Sequence, residues 1–139
     1  MEKIQKYLDF MVCVLQADGE VHEMERQLLG ALMDNFGLSK ELVDAYHKKL
    51  DTIDEKSIDE TLEKVAKGID RMTLTCIARD AYIMAGIDEN FHPAEMKVIR
   101  RFLLKAGIPE NRLEVIELWG KEAFLNLKQG YLMMSSDNT

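Results

Sequence analysis

The sequence has few of the residues that interrupt or staple a chain. Two prolines and eight glycines in 139 residues leave little room for long loops. Two cysteines, Cys13 and Cys76, cannot build a disulfide framework. Both stand among apolar neighbours and read as reduced core thiols, with a single bridge as the alternative. No run approaches the 18 consecutive apolar residues that a membrane span needs. The opening MEKIQKYLDF mixes charges into its apolar residues, unlike a signal peptide, so the expected location is the cytoplasm. An excess of positive charge is also missing. Lys plus Arg is 18 against 25 Asp plus Glu, a net charge of −7. Without surplus cations there is no counterion release to drive binding to a phosphate backbone, so nucleic acid is not an expected partner.

What is present is helical periodicity. Hydrophobic residues make up 47% of the chain, enough for one core in a domain of this length. Ile4, Tyr7, Leu8, Met11, Val12 and Leu15 recur at three and four, predicting a helix over 2–16. Further helices are predicted at about 22–36, stopped by Gly37; at about 40–50, capped by Ser39; from a Ser57/Glu60 capping box to about 67; at about 71–86; and from Pro93 to about 106, stopped by Gly107. A seventh starts at Pro109, Gly120 marks a bend, and a short eighth covers 121–128. The fifth is apolar on more than one stripe, which suits a central helix. No segment alternates as a strand does. The expectation is an all-α single domain over 1–132, with a frayed tail at 133–139. Its core would contain Leu8, Met11, Leu15, Leu28, Leu32, Ile77, Ala81, Met84, Ile99, Leu103 and Ile116. Trp119 reads as a core or rim aromatic and His47 as a surface histidine.

One pattern rises above composition. At an offset of 70, Asp18 falls on Asp88, His22 on His92, Glu25 on Glu95 and Gly37 on Gly107. Leu28, Leu29, Leu32 and Met33 fall on Val98, Ile99, Phe102 and Leu103. Two related three-helix units, about 3–50 and 72–120, would share one core in a pseudo-two-fold arrangement.

Each unit carries Asp-x3-His-x2-Glu: DGEVHEME at 18–25 and DENFHPAE at 88–95. With helices starting at His22 and His92, Glu25 and Glu95 occupy the third helical position. There a carboxylate can bond the unpaired amides of the first turn. Asp18 and Asp88 lie in the preceding loops, where a short carboxylate can bond the backbone. Capping alone therefore explains these residue types. The functional reading uses the symmetry: if the two loops adjoin, four carboxylates converge, and like charges held close call for a cation. Oxygen ligands favour Ca²⁺ or Mg²⁺, and participation of His22 and His92 would favour Zn²⁺. Asp80, on the fifth helix, is either solvent-facing, a fifth carboxylate near the site, or a partner for Arg79 or Arg71. Neither loop is an EF-hand, since the sixth-position glycine is missing and position twelve is Leu29 or Ile99. There is no HExxH, no CxxC, no phosphate loop, and Ser39 and Ser57 serve as caps rather than nucleophiles.

The phrase LQADGEVHEMERQLLGALMDNFGL resembles the signature of the tellurite-resistance TerB-like family: an Ala-Asp-Gly turn (Ala17, Asp18, Gly19), an acid seven positions on (Glu25), and an apolar helix ending in Gly37-Leu38. Ile87, Asp88, Glu95 and Gly107-Ile108 resemble it again, over roughly residues 3–125 in all. The resemblance implies an all-helical fold of two related halves, with Asp18, Glu25, Asp88 and Glu95 as an acidic cluster for a divalent cation. It also implies a role in stress-associated or membrane-linked complexes rather than catalysis. The second copy departs from the pattern, with Glu89 in the glycine position and Pro93 opening the helix. A turn that needs positive φ there would be strained or altered. The resulting expectation is a non-catalytic interaction module with a protein partner, in which a peripheral membrane-associated complex has a place. The alternative is a metal-dependent hydrolase on a helical scaffold, which would require converging carboxylates and histidines around an open metal position.

Overall fold

A computed structural model describes residues 2–52, 54–87 and 91–136. Among them are seven α-helices and one short 3-10 turn, and no strand. They are α1 (Glu2–Gln16), α2 (Glu23–Asn35), α3 (Lys40–Leu50), α4 (Glu55–Ala66), α5 (Arg71–Gly86), α6 (Pro93–Lys105), the 3-10 turn (Glu110–Arg112) and α7 (Leu113–Ser135). The all-α, single-domain expectation holds.

The hub is α1. Its second half, Phe10 to Gln16, is buried all round, because the run FMVCVL carries no polar residue to set one side against solvent. It packs against α3, α4, α5 and α6. α5 joins it at the centre, between α1, α6 and α7. Phe10 of α1 and Phe102 of α6 meet ring on ring at 4.2 Å, and both are wholly buried. Burial holds the Cys13 thiol up at about 12, so it stays a neutral core group; Cys13 and Cys76 are both free.

α2 lies at the edge, on α3. Only Leu29 and Met33 of this helix are buried; Leu28 and Leu32, expected in the core, are half-buried, as is Ile116 of α7. The remaining expected core residues are buried. His47 is half-buried rather than on the surface, with its ring over Gly30. Trp119 sits at the rim, 40% exposed.

Two helix boundaries differ from expectation. α4 begins at Glu55 because Asp54, not Ser57, is its cap: the Asp54 carboxylate accepts from the Ser57 amide at 2.8 Å, so Ser57 already lies inside the helix. α7 runs unbroken for 23 residues, so neither a bend at Gly120 nor a separate eighth helix exists, and helix continues past Leu132 to Ser135. Gly120 serves packing instead of a turn: a Cβ there would lie 2.1 Å from the Tyr82 ring.

The ends of α2 and α6 match closely. His22 and His92 are the residues preceding each helix, and Glu25 and Glu95 are third within it. Gly37 and Gly107 both take positive φ, 70° and 92°. Each follows the same pair of closing bonds, Gly37 to Asp34 and Leu38 to Met33 against Gly107 to Leu104 and Ile108 to Leu103. The surroundings are less alike. α6 sits between α1, α4 and α5, pinned to α4 where Asp59 accepts from Arg101 at 2.7 Å, whereas α2 borders α3.

Asp70 caps α5, accepting from the Thr73 hydroxyl at 2.6 Å and the Thr73 amide at 3.0 Å. These two bonds hold its carboxyl down at about 2. A depressed folded-state value stabilises the fold above the unfolded value, near pH 4, and this contribution is lost as pH falls towards 2. Asn caps a helix without titrating. In urea melts, the stability difference between wild type and Asp70→Asn should therefore change between pH 4 and 2 and stay flat between pH 5 and 7.

Candidate functional site

The loop-to-helix starts of α2 and α6 contribute to one cavity of about 270 Å³. It is lined by His22, Met24, Glu25 and Leu28 from the first start, Met84 and Ile87 from the end of α5, and Glu95 from the second start. The two glutamates, 70 positions apart and each third in its helix, thus line one space. Glu95 is only 4% exposed, while Glu25 is half-buried. The difference follows from placement, since α6 is packed between three helices and α2 is peripheral.

Glu25 does what a first-turn carboxylate does: its Oε1 accepts from the His22 amide at 3.0 Å. Asp18 likewise folds its own loop, accepting from the Glu20 amide at 3.0 Å, and it does not line the cavity. The Nδ1 of His92 accepts from the Ala94 amide at 3.1 Å, so that nitrogen is taken by capping. His22 is exposed and lines the cavity. Asp88 lies outside the described residues. Asp80 does not line the cavity; it accepts from the Tyr7 hydroxyl at 2.8 Å and from Nε of Arg79 at 2.9 Å. Burial, reinforced by this bond to a carboxylate, raises the Tyr7 hydroxyl well above the ordinary tyrosine range, so the Tyr7–Asp80 bond persists at neutral pH and ties α1 to α5.

The two loops differ at Val21 and Phe91, which stand 70 positions apart. Gly19 takes the left-handed conformation in the first, φ 82°. Glu89, which replaces that glycine, lies outside the described residues. Phe91 is left-handed at φ 42°, an uncommon state for an aromatic residue. It is held there by an edge-on contact with Phe124, by Lys121 over its ring at 5.5 Å, and by the bare backbone of Gly86 below, where a Cβ would come within 2.6 Å.

Chemically the cavity offers two carboxylates and an imidazole in walls of methionine, leucine and isoleucine. At about 270 Å³ it lies below the ~300 Å³ at which small-molecule pockets begin, and suits an ion with its waters or one inserted side chain. Among the described residues, its lining holds no serine, cysteine or threonine to act as a nucleophile. Among the described residues no three His, Cys, Asp or Glu side chains are grouped so as to hold a metal ion. Met24 is the lining residue that periodicity misses: it is exposed, and only its position between His22 and Glu25 could have pointed to it.

No helix among the described residues is long and apolar enough to cross a membrane. Comparison with curated proteins and with solved structures gives no match. The family described as tellurite resistance protein TerB matches residues 6–118, most of the chain and both acidic loops. With the Asp-Gly turn, the paired helix starts and the paired glycine stops in that span, the chain belongs to the TerB family.

Proposed function

We propose that the protein is a non-catalytic interaction module that takes a cation at the junction of two related helical halves. The observation that carries this reading is the shared cavity, where Glu25 and Glu95, equivalent in the repeat, line one largely apolar space. Carboxylates that share a low-dielectric site repel unless positive charge or a proton joins them. The matched ends of α2 and α6 support a duplicated, pseudo-two-fold origin. Against it stand their unlike neighbours, and a 3-10 turn and a long α7 where a counterpart of α3 is expected.

In the divalent reading, Glu25 and Glu95 hold the ion, with His22 at the rim; Asp18, which bonds its own loop, stays outside the cavity. This donor set is oxygen-rich and fits Ca²⁺ or Mg²⁺ better than Zn²⁺, the more so because Nδ1 of His92 is committed to its cap. The cation would neutralise the cluster and fix the two loops relative to each other, giving a partner a defined surface. A second reading replaces the ion by a lysine or arginine side chain of a protein partner. The cavity, about 270 Å³ with two carboxylates in a largely apolar lining, has room for one such side chain.

Elemental analysis of protein purified without chelator tests the first. The divalent reading expects Ca or Mg near one per chain, retained on desalting and reduced in Glu95→Gln. Metal-free protein at every step would contradict the divalent reading. The stress association belongs to the same proposal and rests on the family resemblance; the cytoplasmic setting rests on the sequence having no long apolar run.

A further inference from the structure

α7 is longer than the bundle it packs on. Its 23 residues span about 34 Å against about 24 Å for the 16 residues of α5. One stripe of the helix, Leu113, Gly120 and Phe124, is buried against the rest of the chain. The same stripe continues beyond it through Leu127, Tyr131 and Met134, which are 55%, 68% and 88% exposed. Leu125, Leu132 and Met133 on the other sides of these turns are exposed too. A helix apolar all round is normally a buried one. Residues 125–135 carry a single charge, Lys128, as the centre of an interface does rather than its rim.

The geometry points to a second copy of this chain as the occupant, docked antiparallel on the last turns of α7 with a two-fold axis between Gly130 and Tyr131. The register carries the argument. Leu127, Gly130, Tyr131 and Met134 share one face of the helix, at spacings of three, one and three. Reversal about the midpoint of Gly130 and Tyr131 maps this set onto itself: Leu127 meets Met134 of the second copy, and Tyr131 meets Gly130. A closed dimer requires such self-complementarity. The contact also repeats one already made inside the chain, where the Tyr82 ring occupies the space over Gly120. Gly130 offers the same bare backbone and has nothing within 4 Å of where a Cβ would be. The three apolar side chains of this face, Leu127, Tyr131 and Met134, present on the order of 450 Å² per copy, about 900 Å² in the pair, the size of a weak interface that forms with concentration.

The test is sedimentation equilibrium of the whole chain from low to high micromolar concentration, with three variants. Wild type should pass from monomer to dimer. Tyr131→Asp removes two central anchors per dimer and buries charge, and should raise the dissociation constant about a hundredfold or more while leaving the circular dichroism unchanged. Gly130→Ala favours the isolated helix but fills the seat of Tyr131, so the dilute protein should melt higher while dimerisation weakens. In a Cys76→Ser background, Leu127→Cys and Met134→Cys proteins should cross-link when mixed and not separately. A chain that stays monomeric throughout, a dimer indifferent to Tyr131→Asp, or cross-links formed by Leu127→Cys alone would overturn the proposal. So would a monomer that floats with phosphatidylcholine–phosphatidylglycerol vesicles and loses flotation on Tyr131→Asp, because the face would then belong to a lipid surface.

Discussion

Truncating Phe102 to alanine should cost about 3–5 kcal/mol, the range for deleting a fully buried aromatic side chain. Phe102 has no exposed surface and lies on the Phe10 ring at 4.2 Å. Its loss removes the transfer free energy of the ring, the aromatic pair and part of the contact between α1 and α6. The gap closes only in part, because α6 is packed between α1, α4 and α5. Urea unfolding followed by circular dichroism reads this directly. A loss below about 1 kcal/mol would mean that α1 and α6 are not joined through these rings.

Gly120→Ala should be destabilising as well, against the intrinsic preference of a helix interior. On an open helix face this change gains about 1 kcal/mol. Here the new methyl would lie 2.1 Å from Cδ2, 2.2 Å from Cγ and 2.8 Å from Cβ of Tyr82. The first atoms of that side chain are involved, so turning the ring tip gives no relief. Tyr82 is buried, and either its ring leaves the core or α7 moves away from α5. Overpacking of this kind costs about 1–3 kcal/mol and sometimes more. Gly120→Ala and the double variant Gly120→Ala/Tyr82→Ala, compared with Tyr82→Ala, isolate the clash: the glycine substitution should be harmful with the tyrosine present and neutral or stabilising without it. A stabilising single variant would show that the two helices are not in close contact at this point.

Gly120 also marks where the sequence misleads. Read locally, a glycine after Trp119 is a bend. The reason for it lies 38 positions earlier in the chain, at Tyr82, and no local pattern records that. The same holds for α4, where a well-formed Ser-x-x-Glu motif is outranked by Asp54 three residues before it. Gly37 and Gly107 are legible because their cause is local: each helix ends where its last carbonyls need a left-handed residue. Glu25 and Glu95 are legible as a pair from the 70-residue register, and so is their third position in each helix. That Glu95 is buried and Glu25 half-buried is not legible, since it depends on which neighbours α6 and α2 acquire. The position of Asp80 against Tyr7 is likewise a matter of how α1 crosses α5.

The paired glutamates are the centre of the functional proposal, and the most direct measurement is the thermal stability of wild type and Glu95→Gln with and without Ca²⁺, Mg²⁺ or Zn²⁺ at matched ionic strength. A cation that binds only the folded chain stabilises it by about 2.7 kcal/mol at a hundredfold excess over its dissociation constant. Wild type should therefore melt several degrees higher with Ca²⁺ or Mg²⁺, and Glu95→Gln should lose most of that gain. Wild-type melts that coincide in all four conditions would contradict a divalent-cation site between the two halves.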